Sequence, residues 1–72
     1  MIVVNVAMQQ DKVIELLESL NDGVTFTYKE KKGIKLFFEI EGADAETAAK
    51  LAKDSIKAQP WGNVLFFQCT PA

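Results

Sequence analysis

The chain has no histidine, no arginine and a single cysteine, Cys69. Without histidine it lacks the commonest general base near neutral pH and the commonest metal ligand. Without arginine it lacks the planar fork that grips phosphate, carboxylate or guanine, so only lysine point charges remain for such work. One cysteine can form neither an intrachain disulfide nor a CxxC pair, which argues against a disulfide-stapled secreted scaffold. Long apolar runs are missing too. The opening "MIVVNVAMQQDK" has no basic leader region, and its apolar stretch is too short for a signal or a membrane-spanning helix. A cytoplasmic protein with no membrane partner is expected. The formal net charge of −2 argues against general polyanion binding, because lysine and arginine supply most non-specific nucleic-acid affinity.

What remains is a folding composition. Hydrophobic residues make up 49% and charged residues 25% of 72 residues, enough for one domain over 1–72 with a small core. At that size a domain buries only about 60% of its unfolded surface, so extra burial against a partner would add usefully to stability.

The apolar spacing gives the order of elements. "IVVNVAM" is rich in β-branched residues and reads as a strand over 2–8, with Ile2, Val4, Val6 and Met8 on one face and Val3, Asn5 and Ala7 on the other. Val13, Leu16, Leu17 and Leu20 then recur at i, i+3, i+4 and i+7, an amphipathic helix stopped by Asn21, Asp22 and Gly23. Two alternating runs, Val24–Lys29 and Ile34–Glu41, flank "KEKKG" and read as a hairpin with a bulge or a loop of four to five residues. A second helix follows with Asp44 as N-cap, ended before Pro60, with a small-residue stripe of Ala45, Ala48, Ala49, Ala52 and Ile56. On its wet face Glu46–Lys50 and Lys50–Asp54 have i,i+4 spacing. The last strand spans 64–70, with Leu65, Phe67 and Cys69 inward and Val64, Phe66, Gln68 and Thr70 outward.

This βαββαβ order resembles the ferredoxin-like, or split βαβ, arrangement. The resemblance covers the whole chain at the level of fold and implies an α+β two-layer sandwich. Its four-stranded antiparallel sheet would have the order 4-1-3-2, with both helices on one face. The expected core is Val4, Val6, Val13, Leu16, Leu17, Leu20, Phe26, Leu36, Phe38, Ala48, Ala52, Ile56, Leu65 and Phe67.

In that order the fourth strand is an edge, yet nothing from Trp61 to Cys69 is charged and both prolines are expected outside the strand. Val3, Phe37, Val64 and Phe66 would share the helix-free face, rimmed by Asn5 and Gln68. An apolar patch of this kind reads as an interaction surface. Val3, Asn5, Phe37, Val64, Phe66 and Gln68 are the expected interface, with a second copy of the chain or another protein as partner.

Other chemistries find little support. Members of this fold that bind heavy metals carry two cysteines in the first loop, and acylphosphatase-like members need an arginine there. This chain has "MQQDK". RNA-recognition domains stack bases on aromatics of the two middle strands, whereas Ile34 and Leu36 occupy the matching places in "KKGIKLFFEI" and the first strand has no aromatic. ACT-like ligand domains commonly use a glycine after the first strand, absent from "AMQQDK". No catalytic residue, cofactor or metal ligand is expected. A small-ligand sensor, or a small enzyme with its pocket between subunits, stays open as the alternative. Trp61 is expected to plug the end of the core, Cys69 to be an inert buried thiol, and the lysines at 29, 31, 32 and 35 to form a solvated hairpin tip.

Overall fold

A computed structural model describes residues 1–20 and 23–72. It is an α+β arrangement of β1 (Ile2–Val6), α1 (Gln10–Ser19), β2 (Thr25–Lys32), β3 (Lys35–Glu41), α2 (Ala45–Lys57) and β4 (Phe67–Pro71). The four strands form one antiparallel sheet in the order β2-β3-β1-β4. Expectation and structure name the same sheet from opposite ends.

β1 and β3 are the two inner strands, and alternation gives each of them a buried face. Ile2, Val4 and Val6 are buried beneath the helices, together with Leu36 and Phe38 of β3 and Phe26 of β2. Val13 and Leu17 of α1 and Ala48, Ala49, Ala52 and Ile56 of α2 close over them, forming a single cluster. The alanines of α2 bring that helix close to the sheet. Four expected core residues, Leu16, Leu20, Leu65 and Phe67, are partly buried at its margin, while Ile2, Val24 and Ala49 join the core.

Helix α2 is capped as its sequence suggests, the Asp44 carboxylate accepting from the Thr47 N–H at 3.1 Å. Helix α1 begins differently: its N-cap Gln9 is left-handed (φ 60°) and supplies no side-chain cap. β1 therefore stops at Val6 instead of Met8, and Met8 is exposed, not on the core face. Of the residues expected to stop α1, Asn21 and Asp22 lie outside the described residues, and Gly23 takes a positive φ of 83°.

The hairpin is tighter than a four-to-five-residue loop. β2 runs on to Lys32, and the two-residue turn Gly33–Ile34 has a positive φ only at Gly33 (61°), the pattern of a II′ turn. The extra residue is absorbed by a register shift between Tyr28 and Glu30. As a result Ile34, which alternation in the sequence places on one face with Leu36, Phe38 and Ile40, sits at the turn and is half exposed.

The largest difference precedes β4. Backbone bonds from Gly62 and Asn63 N–H to the Gln59 carbonyl, and from Leu65 N–H to Gly62, wind residues 59–65 into successive turns. Gly62 is buried directly against the Ile56 carbonyl, where any Cβ would collide. Val64 is thus a turn residue, not the start of the strand. Pro71, expected outside the strand, is its last residue. Among the described residues the one ion pair is Lys29–Glu39, so the spacings Glu46–Lys50 and Lys50–Asp54 are not closed into pairs.

Candidate functional site: the helix-free face and its border

Cross-strand register lays out the sheet face opposite the helices in rows. Lys32, Lys35, Asn5 and Gln68 form one row across all four strands. The next is Glu30, Phe37, Val3 and Thr70, followed by Thr27 with Glu39 and then Thr25 with Glu41. The face is basic and amidic at one end, apolar in the middle and acidic at the other. Val3 and Phe37 are direct cross-strand neighbours and both are half-buried. The Lys32 ammonium stands 6.0 Å from the centre of the Phe37 ring. Glu39 accepts from Lys29 at 2.9 Å, and this lysine holds the Glu39 carboxyl below its ordinary pKa range.

Of the six residues expected at the interface, Val3, Asn5, Phe37 and Gln68 come together on this face. Phe66 and Val64 do not stand in the strand. They precede it, 92% and 85% exposed, at the border where β1 ends and β4 begins. There Asn5, Ala7, Ile34, Phe66, Phe67 and Gln68 line an open groove of about 420 Å³. Gln10 braces this corner: its side-chain amide donates to the Val6 carbonyl at 2.9 Å and the Gly33 carbonyl at 3.1 Å, and accepts from the Lys31 ammonium at 3.3 Å. Neither Ile34 nor this brace was singled out from sequence. The polar "KEKKG" drew attention to charge there, and the exposure of Ile34 follows from a turn one residue pair long.

The two sheet edges are unequally protected. β2 carries the bulge and four consecutive charges, Lys29–Lys32, and its Tyr28 N–H is taken up by the Glu18 carboxylate at 3.3 Å. β4 has no charge, but it is short. The Ala72 N–H donates to the Met1 carbonyl, and Val6 N–H to Ile34, so Thr70 and Gln68 direct their backbone groups toward β1 while Phe67, Cys69 and Pro71 direct theirs outward. Pro71 has no N–H, which leaves Phe67 and Cys69 as the outward donors of β4.

Elsewhere, Trp61 is half-buried against the core rim, with the Lys12 ammonium 6.0 Å from its ring. An open groove of about 380 Å³ there includes Glu15, Leu16, Ser19 and Gln59. Burial pushes the Cys69 thiol up to about 12, partly opposed by the charge of Lys53, so it carries almost no thiolate at neutral pH. Among the described residues no three of histidine, cysteine, aspartate and glutamate gather as a metal site, and no helix is long and apolar enough to cross a membrane. Compared with protein-family models, curated proteins and solved structures, the chain finds no match.

Proposed function

We propose that this is a non-enzymatic, cytoplasmic interaction module of ferredoxin-like fold, homodimeric through the helix-free face of its sheet and the β4 border. The observation that carries the reading is the uneven burial of the sheet. One face is sealed by two helices, while the other leaves Val3 and Phe37 half-buried at its centre and Phe66 and Ile34 open at its border. For a chain this small, covering those groups would add appreciably to stability, at roughly 25 cal/mol per Å² of apolar surface. Light scattering over a dilution series should give the mass of a dimer. Phe37→Glu, at the centre of the face, should shift it to monomer at every concentration, and Phe66→Glu, at the border, should weaken it less, with circular dichroism unchanged in both. A wild-type monomer throughout would overturn the reading.

The alternative is a small-ligand sensor. It is favoured by the groove at Asn5, Ile34, Phe66 and Gln68, whose 420 Å³ lies within the range of roughly 300–1,000 Å³ typical of ligand sites. Binding of an apolar fluorescent probe that survives dilution to the monomer and disappears in Phe66→Ser would support it.

A further inference from the structure

From the order of charges along β3 we infer that the second copy docks face to face and antiparallel, about a two-fold axis that lies across the strands and passes through Phe37. This inference rests on the homodimeric reading above.

Lys35, Phe37 and Glu39 project from one strand onto the helix-free face at successive positions. Lysine and glutamate therefore lie symmetrically on either side of the aromatic ring, about 7 Å away along the strand in each direction. A two-fold across the strands reverses the strand direction in the partner. It brings Phe37 against its own copy and sets each Lys35 opposite the other chain's Glu39. A two-fold along the strands would instead oppose lysine to lysine and glutamate to glutamate, which like-charge repulsion disfavours. The pattern is thus self-complementary in only one of the two face-to-face arrangements.

Val3 shares the row of Phe37 and extends the apolar centre, and Asn5 sits beside Lys35 as a polar rim. Glu30, on the edge strand in the same row, meets its own copy and is the one like-charge contact that the row contributes, set against two Lys35–Glu39 pairs. Glu39 is already engaged by Lys29, yet a carboxylate has room for a second donor. Stacked sheets lie about 10 Å apart, a gap that extended lysine and glutamate side chains can bridge together. The two longer extents of 28 and 25 Å bound a projected area of at most about 700 Å², within the roughly 600–1,000 Å² per partner of a standard interface. The β4 edge, with only two outward N–H donors, offers a second copy far less to hold.

The test is charge exchange. Lys35→Glu and Glu39→Lys are prepared separately, with a double variant carrying both changes. Both sites are exposed, so folding is retained in all three variants and is checked by circular dichroism. Each single variant should raise the dimer dissociation constant at least tenfold. An equimolar mixture of the two should recover a dimer containing one chain of each, and the double variant should dimerise by itself, because both restore opposite charges across the axis. If the wild type is a dimer and the single variants dissociate no more readily, or if neither the mixture nor the double variant recovers, this register is wrong while the homodimeric reading stands. A wild-type monomer overturns both.

Discussion

At Asp44 a single carboxylate secures the start of α2. Its bond from the Thr47 N–H holds its pKa below the ordinary aspartate range. A group whose pKa is depressed on folding contributes stability that is full above the unfolded value, about 3.9, and is lost as pH falls through the folded value. Asp44→Ala should therefore lower the urea midpoint at pH 7, and the gap to wild type should close progressively below about pH 4. Glu39, depressed in the same direction by Lys29, titrates in both proteins and cancels from the comparison. Glycine acts at this scale in two ways. Gly33→Ala meets open space but must hold a positive φ, a cost of about 1 kcal/mol. Gly62→Ala meets the Ile56 carbonyl, so the backbone has to move and the loss should exceed that of Gly33→Ala in urea denaturation.

Between residues and molecule, the elements differ in how much of themselves the sequence discloses. The i, i+3, i+4 spacing of Val13, Leu16 and Leu17 and the Asp44 cap are local signals, and both helices stand where those signals lie. The phase of β4 was equally legible: Leu65, Phe67 and Cys69 all pack toward the core. Its start was not, because Val64 has high β-propensity and only the seating of Gly62 on Ile56, a contact between an element and its own exit turn, diverts it. The same holds for Met8 and Ile34, apolar residues in step with their strands that the Gln9 and Gly33 turns expel to the surface. Of the candidate surface, Val3, Asn5, Phe37 and Gln68 followed from alternation alone. The alignment of Lys35, Phe37 and Glu39 against their neighbours required the register between strands, which no single segment encodes.

For the whole molecule, register also determines the order in which parts can form. β2 and β3 meet through a turn of two residues, whereas β4 meets β1 only across almost the full length of the chain, with Pro71 opposite Ile2. Local pairing closes at low entropic cost and distant pairing at higher cost. Native-state hydrogen exchange should accordingly show the Thr70 and Gln68 amides of β4, which point to β1, opening more readily than the Phe37 amide of β3, which points to β2. The consequence reaches beyond the finished structure. Until β4 docks, the uncharged stretch from Trp61 to Cys69 has no covering strand on either side, and it combines aromatic and β-branched residues with no gatekeeping charge. A β4 that docks late would face a race between closure onto β1 within one chain and capture by the same stretch of another, so the yield of refolding should fall as protein concentration rises.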